Sequence, residues 1–257
     1  MDRFFAAVPI LSLFVGTLFL VLVSVEIGYR WANRRQARRA LEKEAPVGAM
    51  VGATLGLLAF LLAFTFGIAA DAYHARKIAL VEETNAIRMS YLLCDTIPKA
   101  HHAEIRRVLR QYVDERLRWA VGQPDPPGAS ADELLNQLWK AAAVVGQQNP
   151  GGVDVFLGYV SRVIELRQER MMVRERSRIP GAYWVILFVV ALLALSAVGY
   201  HGGVAATSRS PVMLAVAIAV SVVIMVIADL DSPRKGMINV SQQPMIDLRA
   251  TLAESQP

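Results

Sequence analysis

Gly48, Gly52 and Gly56 recur every four residues in one apolar run, Phe60 and Phe64 continue the series, and Asp71 follows near its end. Small residues at that spacing let helix backbones approach closely, and two rings four residues apart share a helix face. The same residues support two readings. In one, the glycine ladder packs helices within a single subunit. In the other, symmetry-related copies meet along it, and Phe60 and Phe64 turn towards a central axis. Rings there would form a dry constriction that ions cross only by shedding water, with Asp71 at its mouth.

Two further clusters carry charge at the edges of apolar runs. Asp229 and Asp231 close the last run in the string DLDSPRKG. Hard carboxylate oxygens suit Ca²⁺, but two carboxylates fall far short of the six to eight oxygens that ion takes. The expectation is that Arg234, Lys235 or another basic side chain holds them. Arg167, Arg170, Arg174 and Arg178 form a basic stripe leading into the third run. It reads either as a solvated face against lipid headgroups or as a vestibule that concentrates anions. Glu26 and Arg30, four apart, read as a local pair that snorkels. Asp71 and His74 share a face, which more often marks a surface contact than a metal site. The four histidines and the single cysteine, Cys94, fall into no ligand spacing, and no nucleophile elbow or phosphate loop occurs. No catalytic residue, cofactor or metal is expected, and the chain is not read as an enzyme.

The elements that must position these residues are legible in the composition. Of 257 residues, 54% are hydrophobic and 19% charged, whereas soluble domains carry about 25% charged residues. The apolar excess is concentrated in four runs long enough to cross a bilayer, which takes about 20 residues: 8–28, 47–70, 183–199 and 212–228. That excludes a soluble globular protein, a disordered chain and a disulfide scaffold. Tyr29, Trp31, Tyr183, Trp184 and Tyr200 lie at run edges, where amphipathic rings favour the headgroup level. The first run is too long, and its basic flank (Arg3) too weak, for a signal peptide, so a retained span is expected. A net charge of +5 suits an anionic lipid surface; no nucleic-acid module accompanies it. Basic residues give a conflicted topology. The short segment 30–46 holds six Lys/Arg, and the weight given to short loops would place it inside. The count near the membrane is seven on that side and thirteen on the other, which favours termini and middle domain inside.

Residues 71–179 are polar enough to leave the membrane. A helix is expected to run out of the second span to about Thr96, followed by an amphipathic helix over 102–121. GQPDPPGAS (122–130) reads as a loop. Ser130 with Glu133 three residues on is a capping box opening the next helix, and Asn149–Gly152 ends it. The last helix is expected from Val153 to Arg178. The whole is all-α: spans one and two with a basic connection (1–70), a helical domain inserted between the second and third spans (71–179), then spans three and four with a C-terminal tail (180–257).

Three blocks give the chain a likeness to known proteins: LLAFTFGIAADAYHARKIALVEETNAIRMSYLLCDTIP (61–98), RSRIPGAYWVILFVVALL (176–193) and DLDSPRKGMINVSQQPMIDL (229–248). With them the sequence resembles the bacterial bestrophin-like membrane proteins of unassigned function, distantly similar to bestrophin channels. The resemblance implies a homo-oligomeric ion channel in the bacterial inner membrane, with the second span lining a pore for small inorganic ions. The sequence departs from animal bestrophins in lacking their acidic Ca²⁺ cluster beyond Asp229 and Asp231. The competing reading is a non-conducting membrane scaffold or sensor whose helical domain binds a partner or lipid.

Overall fold

The computed structural model describes residues 10–37, 44–122, 130–148, 153–176, 178–205, 210–232 and 236–254. Regular structure among them is entirely helical, in the order α1 (Ile10–Ala37), α2 (Glu44–Leu93), α3 (His102–Ala120), α4 (Ala131–Gln148), α5 (Asp154–Arg176), α6 (Gly181–Val204), α7 (Pro211–Asp231) and α8 (Gln243–Glu254). Short 3₁₀ turns at Cys94–Thr96 and Lys99–His101 link α2 to α3. Helices α1, α2, α6 and α7 are each long and apolar enough to cross a membrane.

The chain divides into two compact units, Met1–Tyr73 with Ser177–Asn239, and His74–Arg176 with Val240–Pro257. The first holds the four apolar stretches. Its core is built from Val21 and Val25 of α1, Leu58, Leu62 and Ala69 of α2, Leu187, Ala191 and Leu195 of α6, and Ala217, Ile224 and Ile227 of α7. Helices α1 and α6 come together through glycine. A methyl group added at Gly28 would overlap the carbonyl oxygen of Ser196, and one at Gly199 the carbonyl oxygen of Val25. Beside this crossing Ser24 donates its hydroxyl to the Leu192 carbonyl at 2.5 Å. Backbones this close gain dispersion contact that larger side chains would forbid, which matters where lipid offers no hydrophobic drive between helices.

The second unit is a helical cluster around Leu80, Ile87, Leu109, Tyr112, Leu138, Phe156 and Val163. The expected cap is present: Ser130 Oγ accepts from the Glu133 N–H at 3.3 Å. Helix α8 was not expected. The tail was assigned with spans three and four, but Met245, Leu248 and Leu252 are buried in the core of the second unit. Their i, i+3, i+7 spacing gives α8 one apolar side. Cys94 is also buried there, and desolvation pushes its thiol up to about 11.

Candidate pore-lining helix

Helix α2 is a single run of 50 residues. In the first unit Leu58, Leu62, Thr65, Ala69 and Ala72 are buried on one side of it. Thr65 satisfies its hydroxyl on the Leu61 carbonyl at 2.7 Å, so this side is apolar to its neighbours. The opposite side carries Gly52, Gly56, Ala59, Phe60, Ala63, Phe64 and Asp71, all exposed.

Of the glycine ladder, Gly52 and Gly56 do not pack inside the chain as one reading required. A methyl group added at Gly52 or Gly56 meets nothing within 4 Å, and only Gly48 approaches another side chain, with His201 Nε2 3.0 Å from that position. The glycines that bring α1 and α6 together are Gly28, Gly199 and Gly203. Phe60 and Phe64 are 65% and 53% exposed, and their rings stack at 6.4 Å between centroids with planes 16° apart. They are not core side chains.

The other apolar helices expose a different kind of surface. Helix α6 presents Val185, Ile186, Val189 and Leu193, and α7 presents Val212, Leu214, Ile218 and Val222. These are bulky aliphatic faces of the kind lipid tails accommodate. The exposed side of α2 instead mixes Gly and Ala with Leu57, Phe60 and Phe64 on one face, and is ended by a carboxylate. Small residues suit the close approach of another backbone.

At the acidic pair ending α7, main-chain N–H groups supply the hydrogen bonds described. Asp229 is buried. Its Oδ1 accepts from the Met237 N–H at 3.0 Å, and its Oδ2 from the Met237 and Ile238 N–H groups at 3.1 and 2.9 Å. Asp231 Oδ1 accepts from the Ile179 N–H at 2.9 Å. Main-chain donors, rather than arginine or lysine, make the bonds described; Arg234 and Lys235 lie outside the described residues. A carboxylate chelating successive N–H groups pins the turn after α7, and a methyl group at Gly236 would overlap Asp229 Oδ1. Among the described residues no group of three or more His, Cys, Asp or Glu could hold a metal. Asp229→Asn turns one acceptor into a donor facing N–H groups, at a cost of about 1–3 kcal/mol. Gly236→Ala is expected to open the same turn. Faster amide exchange at Met237 and Ile238 in both variants checks this. Micromolar Ca²⁺ binding by the unmodified chain, lost in Asp229→Asn, would contradict it.

The basic stripe is not a continuous solvated face. Arg167 donates to Asp132 Oδ1 at 3.0 Å. Arg170 is turned into the second unit, where its Nε lies 3.2 Å from Glu83 Oε2. The side chain of Arg174 lies outside the described residues, and Arg178 is half-buried.

Glu83 centres a buried polar cluster that the sequence reading missed. It accepts from the Tyr112 hydroxyl at 2.6 Å and from Arg116 Nε at 3.2 Å to each oxygen. Both guanidinium groups, of Arg116 and Arg170, stand 5.2 Å from the Trp119 ring centroid. The ring's negative faces offset cations that one carboxylate cannot balance alone. Burial holds Arg170 below the usual guanidinium range, the Glu83 carboxylate opposes this, and the Arg116 charge adds to it. Burial and the Glu83 charge together push the Tyr112 phenol up. The available signal was Glu83 itself, an acid on the apolar side of α2 between Leu80 and Ile87.

Comparison with known proteins agrees with this architecture. Residues 45–245 match the Bestrophin-like domain. A bacterial bestrophin homologue from Klebsiella pneumoniae superposes with a TM-score of 0.60 at 15% identity, covering 96% of this chain and 100% of that one. A point variant of a Klebsiella pneumoniae bestrophin homologue gives a TM-score of 0.63 at 12% identity, covering 95% and 97%. Identities this low establish the fold. Among proteins of curated function none matches the chain significantly.

Proposed function

The chain belongs to the Bestrophin-like family, and from that premise we propose that it is a homo-oligomeric ion channel of the bacterial inner membrane, with the exposed side of α2 facing the axis. One observation carries the reading. Of the exposed surfaces on the apolar helices, that of α2 has Gly52 and Gly56 where copies would approach, Leu57, Phe60 and Phe64 where a gate would stand, and Asp71 where water returns. Gly52 and Gly56 supply the close approach. Phe60 and Phe64 supply a constriction that ions cross only after losing hydration that nothing replaces. Asp71 stands at the mouth with Arg76 and Lys77 five and six residues on, so the charge there is mixed. The reaction performed is passage of a small inorganic ion, with no bond made or broken.

Ion flux into liposomes holding the purified chain tests this. Phe60→Ala combined with Phe64→Ala is expected to raise flux while complex size stays unchanged. Because both rings are largely exposed, their removal leaves no cavity of the kind that costs about 3–5 kcal/mol in a packed core. A folded, correctly sized double variant that is silent, beside a silent unmodified chain, would favour the scaffold or sensor reading.

A further inference from the structure

The helical unit is assembled from two separate stretches of chain. Helices α3, α4 and α5 follow one another, α3 packing on α4 and α4 on α5. Helix α8 joins them only after α6 and α7 have intervened, and its main neighbour is α3. Met245, Leu248 and Leu252 are buried, whereas Ile246 is 46% exposed, so one side of α8 carries the contact. Arg249 Nε lies 2.7 Å from Asp114 Oδ1 on α3.

Two features set α8 apart from the rest of its unit. It has 12 residues, and isolated helices of about that length are marginal in water, so it forms on its partner rather than before it. The packing of α3 on α4 and of α4 on α5 does not pass through α8, so its departure leaves that stack in place and opens an apolar slot along α3. The route to the slot is also constrained. Between α5 and α8 lie α6 and α7, each long and apolar enough to cross a membrane. A single crossing would leave α8 on the opposite side of the bilayer from α3, and the second returns it.

We infer that α8 is a separable latch, which closes the helical unit by docking on α3 once the third and fourth spans are both in place. The slot recognises an amphipathic helix with apolar residues at i, i+3 and i+7 and an arginine set against Asp114. The apolar side supplies the affinity. The ion pair is too exposed to add much and instead fixes the register. Tethering to α7 raises the effective concentration of α8 at the slot, so a contact that is weak between separate molecules stays shut within one chain. A chain that has made only one of the two crossings displays the open slot, an exposed apolar patch that a finished chain lacks. The latch is independent of whether the chain conducts.

Hydrogen exchange of the solubilised full chain, read over residues 105–113 by mass spectrometry, tests this. Leu248→Asp combined with Leu252→Asp should release α8 and speed exchange there by about tenfold or more, with α4, α5 and the apolar helices unchanged. A synthetic peptide of residues 240–257 should restore slow exchange in this variant and leave the unmodified chain as it was. The peptide carrying Arg249→Glu should bind about two- to fivefold more weakly, and should recover on a chain that also carries Asp114→Lys. In vesicles, Val220→Arg with Ile224→Arg should keep the fourth span out of the bilayer and give the same fast exchange, reversed by the peptide supplied on the α3 side. Unchanged exchange over 105–113 in the α8 variant, equal acceleration through α3, α4 and α5, or a peptide that fails to slow it would overturn the latch. Slow exchange in the α7 variant would overturn its dependence on both crossings, because α8 would then have reached α3 without them.

Discussion

Glu83→Ala is expected to destabilise the helical unit by about 3–5 kcal/mol, the usual consequence of removing one partner from a buried ion pair. Glu83 is fully buried, and its two oxygens serve Tyr112, Arg116 and Arg170 together. Without it the Arg116 and Arg170 guanidinium groups, both near the Trp119 ring, lose the carboxylate they share. Glu83→Gln should fall between the two, since the amide keeps the shape and an acceptor but loses the charge. Adding Arg170→Met to Glu83→Gln should recover part of the loss, because one uncompensated cation is then gone. Thermal unfolding of the solubilised chain followed by circular dichroism checks the order unmodified, double variant, Glu83→Gln, Glu83→Ala. A Glu83→Ala chain that melts with the unmodified one would show that the cluster contributes no net stability.

The elements of the fold were legible because membrane spans and amphipathic helices announce themselves through composition and period. The apolar runs became α1, α2, α6 and α7, and Ser130 with Glu133 marked the start of α4. The destination of individual side chains was less legible. Gly48, Gly52 and Gly56 stood out for regular spacing, yet the glycines that bring α1 and α6 together are Gly28, Gly199 and Gly203. Gly199 and Gly203 have the same four-residue spacing, so spacing alone does not say which ladder finds its partner inside the chain. Asp229 was expected to find a side-chain cation, but the main chain just beyond α7 turns back and offers N–H groups. Main-chain donors are carried by almost every residue, so the sequence gives no sign of which ones a carboxylate will meet. Arg170 was placed by spacing on a basic stripe, while its partner Glu83 lies on another helix far away in the chain.

Gly199→Leu is expected to prevent the membrane unit from folding, whereas Gly52→Leu should leave the chain folded and change its assembly. At Gly199 even a methyl group meets the Val25 carbonyl, and a backbone atom held inside a helix cannot rotate away as a side chain would. Overpacking a core costs about 1–3 kcal/mol when neighbours can adjust, and here α1 and α6 must separate along their crossing. Loss of the Ser24 to Leu192 hydrogen bond would follow from that separation. At Gly52 the chain itself offers open space, so the added side chain has nothing of its own subunit to displace. Its consequence falls on whatever approaches the exposed side of α2 from outside. If that is another copy, Gly52→Leu should give a smaller or heterogeneous complex by light scattering, with helical content and melting of the dissociated chain retained. If it is lipid, a leucine is as welcome as a glycine and the complex should be unchanged in size. Measured together, the two substitutions separate packing within a subunit from packing between subunits, and an unchanged complex in Gly52→Leu would remove the close approach of copies on which the axial placement of Phe60 and Phe64 depends.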